Sequence, residues 1–236
     1  MSFWNWVLKQ HVAHTSSKPL QEPNRNSAAA GATQHSPFVL PSKPFRFVAL
    51  DVETANSSPA SICQLGLAFV SDAGEIELQS TFLDCPGPFD AFNVSLHGIG
   101  PQQVHGAPTF HAVLSMLGPL LHDSMVVQHS DFDRRAINAA CAVAGLEIPK
   151  WKWIDSIKLA RRAWPEFAGN GGYGLGNLKD ALGLEFRHHD AAEDAGAAAR
   201  VVLHAEAKLQ MPLEHLAAPK KRRRVASGAE RYPVRD

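Results

Sequence analysis

Apolar and polar positions change period several times along the chain, and each change marks an element. Phe47-Val48-Ala49-Leu50 is an unbroken apolar run. That is the pattern of a strand buried on both faces, and it predicts a first strand over about 46–51. A longer, largely apolar stretch, Ile62–Val70, predicts a second. The turn signal Asp72-Ala73-Gly74 and the alternation of Ile76, Leu78 and Phe82 then predict a third, over 75–83, paired back antiparallel. Residues 84–108 are rich in Pro and Gly and read as loop. From Thr109-Phe110 to about His122, Val113, Met116, Leu117 and Leu120 fall on one helical face, with Pro119 placed to bend the end. Next come a short buried strand, Met125–Gln128, and a helix from about Asp131 to Ala144, stopped by Gly145. A short strand over 151–154 leads into a helix over 155–164, closed by Pro165. A Gly-rich loop over 166–176, a short helix over 178–182 and an Ala-rich helix over 190–209 complete the pattern. Three strands followed by alternating helices and strands predict an α/β fold, a mixed sheet with helices on its faces. The functional crevice of such a sheet lies at strand ends.

The flanks differ from this body. Residues 13–43 are rich in Ser, Pro, Ala, Asn and Gln, without apolar periodicity, and read as a linker. Phe3, Trp4, Trp6, Val7, Leu8 and Val12 form an aromatic patch suited to docking on the domain or on a partner. The expected organisation is therefore an N-terminal arm over 1–43, one domain over 44–211 and a tail over 212–236. Net charge over the 236 residues is zero but uneven. The arm carries four Lys/Arg against one Glu (+3) and the tail seven against three acids (+4), which leaves −7 on the body. An acidic body suits a cation-binding cleft, and basic ends suit contact with a polyanion. The run Lys220-Lys221-Arg222-Arg223-Arg224 has the form of a nuclear import signal, but reads more simply as a tail that contacts nucleic acid or is solvated. Gln210-Met211-Pro212-Leu213 loosely resembles a sliding-clamp peptide. No apolar run approaches the roughly 18 residues of a membrane span, and the first residues lack the basic leader and apolar stretch of a secretory signal. Three cysteines, Cys63, Cys85 and Cys141, without CxxC spacing suit a reducing interior, so a cytoplasmic location is expected.

Charge falls where chemistry is expected. Asp51 and Glu53 close the first apolar run, and period-2 alternation sends both to one side of the strand. Two like charges on one partly buried face repel, and a divalent cation relieves that repulsion. Two more acidic segments sit at element boundaries: Gln128-His129-Ser130-Asp131-Phe132-Asp133 between a strand and a helix, and His189-Asp190-Ala191-Ala192-Glu193-Asp194 at the start of the last helix. Converging carboxylates with a histidine suit two-metal phosphodiester hydrolysis, in which the ions clamp the attacking and leaving oxygens. Carboxylates match the oxygen preference of Mg²⁺, and an imidazole can take the proton from water.

The order Asp-x-Glu, Phe-Asp, His-x4-Asp resembles the DEDDh 3′→5′ exonucleases. The stretch from Phe47 to Asn56 is similar to the bacterial DNA polymerase III epsilon-like branch of that family. Leu96-His97-Gly98-Ile99, Ala107-Pro108-Thr109-Phe110, Ile154-Asp155-Ser156 and Leu159-Ala160-Arg161 resemble its connecting segments, so the likeness spans about 45–208. It implies a ribonuclease H-like mixed sheet flanked by helices and two Mg²⁺ or Mn²⁺ ions held by Asp51, Glu53, Asp133 and Asp194. It further implies His189 as general base, and Thr54, His97 and Ile99 as contacts to the terminal nucleotide. The implied substrate is a single-stranded DNA or RNA 3′ end, and proofreading would need a polymerase partner. The Phe-Asp pair selects Asp133 over Asp131, and the five-residue gap to Asp194 selects His189 over His188. A tyrosine base is not supplied, since Asn177 stands four positions after Tyr173. The family's usual second motif is His-Asn-Ala-x-Phe-Asp. His129 stands here where Asn is usual, which bears on substrate positioning and raises the alternative of a weak or inactive homologue that binds nucleic acid.

Overall fold

The computed structural model describes residues 38, 39, 41 and 44–218. The N-terminal aromatic patch, the linker up to Pro37 and the basic run at 220–224 lie outside the described residues.

Five strands form one sheet in the order β3-β2-β1-β4-β5. β1 (Phe47–Thr54), β2 (Ile62–Val70) and β3 (Ile76–Phe82) are an antiparallel meander. β4 (Met125–Gln128) and β5 (Lys152–Asp155) continue from β1 in parallel. The mixed sheet agrees with expectation, and β1 is its central strand. β1 runs three residues further than predicted, to Thr54, so Asp51 and Glu53 lie within the paired strand.

Side-chain alternation along β1 divides the core in two. Phe47 and Ala49 join one cluster with Val127 of β4 and with Ala195, Ala198 and Val202 of α7 (Ala191–Leu209). Val48, Leu50 and Val52 join the other, with Leu117 of α3 (Phe110–Leu121) and Ile137 of α4 (Phe132–Ala144). Asp51 and Glu53 continue the face of Phe47 and Ala49, which is the face α7 covers. α5 (Ser156–Ala163) and α6 (Leu175–Leu182) pack on that same side.

The segment 84–108, expected as loop, holds two short helices, α1 (Ala91–His97) and α2 (Pro101–Val104). α1 buries none of its residues, so it leaves no apolar period to read. α6 starts at Leu175, inside the expected loop. Core packing continues past 211 into α8 (Leu213–Leu216), where Leu213 is fully buried and Leu216 nearly so. The clamp-like peptide is therefore corrected: Gln210 ends α7 in a left-handed conformation, and Leu213 is a core side chain that is not free to enter a partner. Among the described residues, no helix is long and apolar enough to cross a membrane.

Candidate active site

The site is assembled where β1 meets the start of α7. On β1, Asp51 pairs with Gly66 and Glu53 with Gln64 of β2. A Cβ on Gly66 would stand 2.1 Å from the backbone carbon of Ala191, so only glycine lets α7 begin directly on the sheet. Gln64 Oε1 accepts from the Ala191 N–H at 3.2 Å and fixes that contact. Asp190 caps the helix, its Oδ1 accepting from the N–H groups of Ala192 and Glu193, and it pairs with Arg187. One turn in, Asp194 is carried over β1. Ligand oxygens of Asp51, Glu53 and Asp194 all lie within 4.8 Å of one another.

Asp133 arrives from the opposite layer. It sits in the first turn of α4, is 2% exposed, and accepts from the Val52 N–H at 3.1 Å. The turn that delivers it contains Ser130 at φ 96°, a costly conformation for a non-glycine residue. Local bonds hold it: Gln128 Oε1 accepts from the Arg134 N–H at 2.9 Å and Ser130 Oγ from the Phe132 N–H at 3.3 Å. His129 adds a third tie, with Nε2 donating to the Tyr173 carbonyl at 2.8 Å and Nδ1 2.7 Å from Ser156 Oγ. His129 thus braces the glycine-rich segment before α6 against β4. Asp131, set aside in favour of Asp133, is exposed and pairs with Arg135.

The two adjacent histidines divide their contacts. His188 Nδ1 donates to both Asp194 oxygens, at 2.8 and 3.1 Å, and is no mere solvated neighbour. His189 donates its backbone N–H to Asp194 Oδ2 at 2.8 Å and adopts φ 66°. The rings stack at 4.3 Å and 7°. His189 Nδ1 lies 4.0 Å from Glu53 Oε1, and among the described residues its ring has no hydrogen-bond partner.

Burial raises the pKa of each of the four carboxyls. Asp51 rises well above the usual carboxylate range through burial, then through Asp133, Asp194, Glu53 and Asp190. Glu53 is pushed up to about 7 by burial and the neighbouring acids. Asp133 also reaches about 7, burial outweighing the bond from the Val52 N–H. Asp194 rises less far, because His188, His189 and a backbone N–H oppose burial. Among the described residues, no Lys or Arg pairs with any of the four.

Beside the cluster is a cavity of about 290 Å³ lined by Leu96, His97, Ile99, Arg187, His188 and His189, among others. His97 Nδ1 accepts from the Ile99 N–H at 3.0 Å, so its Nε2–H donates to the Thr54 carbonyl at 3.2 Å. Burial lowers its pKa, which suits this neutral form. Thr54 is buried, and Asn93 Nδ2 donates to both of its oxygens, at 2.9 and 3.3 Å. Residue reasoning missed Gln64, Gly66, Asn93 and the contact of His188. Of these only Gly66 carried a signal, a lone glycine within a strand pattern.

A helix-flanked mixed sheet with carboxylates gathered on its central strand is the build of a nuclease domain. An exonuclease family profile, of the ribonuclease T type, matches residues 48–202, and the chain belongs to that family. Among its relatives, the PolC-type DNA polymerase III of Streptococcus suis (strain 98HAH33) is 30% identical over 160 residues, which is 66% of this chain and 11% of that protein. The 3′-5′ exonuclease DinG of Bacillus subtilis (strain 168) is 31% identical over 175 residues, 71% of this chain and 18% of that one. The chain thus spans less than a fifth of either relative. Its fold is shared with exonuclease X, solved with 5′-overhanging duplex DNA, at TM-score 0.59 and 24% identity over 72% of this chain and 97% of that one. The nuclease domain of 3′hExo, a DEDDh family member solved with rAMP, matches at TM-score 0.57 and 19% identity, over 68% and 91% of the two chains.

Proposed function

We propose that the chain is a 3′→5′ exonuclease dependent on Mg²⁺ or Mn²⁺, releasing nucleoside monophosphates from DNA or RNA ends. The observation that carries this reading is the convergence of Asp51, Glu53 and Asp194 from two elements, with their oxygens within 4.8 Å. The donor set fits the ions: the oxygens are hard ligands, they come from largely buried groups that repel one another, and among the described residues no Lys or Arg pairs with them. Asp51, Glu53, Asp133 and Asp194 would hold two ions, which supply the charge that stabilises the attacking and leaving oxygens.

The chain's own residues supply the rest. His189 presents an uncommitted, half-exposed ring beside Glu53 and takes the proton from the attacking water. His188 fixes Asp194 and, by stacking, the plane of His189. His97 and Ile99 line the place of the terminal nucleotide, and Thr54, bonded to Asn93 and His97, secures that wall. The alternative of a binding module without turnover rested on His129. Its ring is used to brace Tyr173 and Ser156 while all four carboxylates and His189 are retained, which favours catalysis.

The test is release of mononucleotides from a 3′-labelled strand in Mn²⁺. Wild type should turn over. Asp51→Asn should lose activity beyond detection, and His189→Ala should lose about 10²- to 10⁴-fold, the usual contribution of a general base. Full activity in Asp51→Asn would refute the assignment.

A further inference from the structure

α1 is inside out. A surface helix normally turns its apolar side to the protein. In α1, Asn93 and His97, one turn apart, face inward and bond the Thr54 carbonyl at 2.9 and 3.2 Å. Asp90 joins them, its N–H donating to the Ala55 carbonyl at 2.8 Å. The apolar pair Phe92 and Leu96, also one turn apart and so on one side, points outward at 71% and 43% exposure. The helix is held to β1 by polar bonds, and Phe92 contributes nothing to the core.

This apolar stripe is continuous with the candidate site. Leu96 lines the 290 Å³ cavity together with His97, Ile99, His188 and His189, and Phe92 stands one turn before it on the same side of α1. Arg187, mostly exposed, lines the same cavity. The body of the chain, residues 44–211, carries a charge of −7, which repels a polyanion. A strand reaching this cleft is better retained by contacts that do not depend on attraction between charges. An exposed aromatic ring supplies one, since every nucleobase has a face that stacks.

We propose that Phe92 and Leu96 form a shelf on which a nucleobase of the incoming single strand stacks, inward of the terminal nucleotide. This rests on the nuclease reading, from which it takes its ligand. Phe92 is a binding residue that selects for an unpaired, stackable base at one position and leaves sequence unread.

The experiment measures fluorescence anisotropy of short 5′-fluorescein-labelled oligothymidylates, with Ca²⁺ in place of Mg²⁺. The set carries an abasic site at successive positions from the 3′ end. With wild type, removing the base at one position inward of the end should weaken binding about tenfold, the scale of one base–aromatic stack. Phe92→Ala should lose that dependence with its melting temperature unchanged, and Phe92→Trp should restore it. Affinity that is indifferent to every abasic position, a profile unaltered by Phe92→Ala, or no binding by wild type would each overturn the shelf. The two readings separate cleanly. A protein with the base-dependent profile but no turnover in Mn²⁺ would keep the shelf and lose the nuclease. One that hydrolyses strands without regard to abasic position would do the reverse.

Discussion

Asp51 and Glu53 illustrate how far a residue's chemistry is legible before folding. Their shared face follows from strand alternation alone, and the structure extends that face to α7. What could not be read was the second helper of Asp194. His188 and His189 are the same residue type at adjacent positions, and only the turn at φ 66° decides which ring donates to the carboxylate. A partner that orients a ligand typically contributes about 10- to 100-fold in metal affinity. His188→Ala should therefore weaken Mn²⁺ binding by that factor in calorimetric titration, whereas His189→Ala should leave it nearly intact while slowing turnover by the factor expected of a lost general base. Equal effects of the two on Mn²⁺ affinity would contradict the division of roles. Titration gives a second prediction. Glu53, ordinarily near 4.5, is pushed up to about 7 in the fold, so between these values the folded chain holds a proton that the unfolded chain has released. In chelator, stability should fall as pH rises from about 4.5 to 7, by about 3 kcal/mol for this one carboxyl at 1.36 kcal/mol per unit. Mg²⁺ or Mn²⁺ at pH 8 should reverse the loss. Thermal melts at pH 5 and 8, with and without metal, check both, and a metal-free protein more stable at pH 8 than at pH 5 would refute the crowding of acids.

Among the elements, β1, β2, β4, α4 and α7 were legible because each carries a sustained period or a clear stop. α1 and α2 were not, because α1 buries nothing and α2 is a single turn. The place of α1 is set by hydrogen bonds to Thr54 and Ala55, which leave no trace in hydrophobicity, and α2 is anchored by a single buried side chain, Val104. α7 presents the converse case. Its Ala-rich face and the glycine facing it in β2 predict close approach, and the approach is close enough to be fragile. Gly66→Ala places a methyl group where the backbone of Ala191 lies, so the helix start must move. Overpacking in a core costs about 1–3 kcal/mol, and the upper end applies where backbone has to shift. The variant should melt early in urea, and any folded fraction should show a reduced kcat because Asp194 moves with the helix. Wild-type stability in Gly66→Ala would mean that α7 does not rest on β2 as described.

For the whole molecule, the two ends of β1 have separate duties. The far end is stapled. Arg46 makes a two-pronged pair with Glu206 at 2.9 and 2.7 Å, and Glu206 Oε1 also accepts from the Leu213 N–H at 2.5 Å. One carboxylate thus joins the start of β1, the last turn of α7 and the start of α8. Removing one member of a largely buried pair strands the other, so Glu206→Ala should cost about 3 kcal/mol in denaturant unfolding. The specific activity of the folded protein should be unaltered, since the carboxylate cluster lies at the opposite end of the strand. A large loss of kcat with little loss of stability would contradict this separation. No pattern in the sequence pairs Arg46 with Glu206, because their separation of 160 residues is closed only by the fold. The carboxylate end, by contrast, was legible as an ordered set of short motifs, and what that set does can be measured directly. The most direct measurement follows a 5′-labelled single strand on a denaturing gel with Mg²⁺, Mn²⁺ or chelator. The expected result is a ladder shortened one nucleotide at a time from the 3′ end, present with either ion and absent in chelator and in Asp51→Asn. Shortening that persists in chelator, or immediate release of the 5′ label as a mononucleotide, would contradict it.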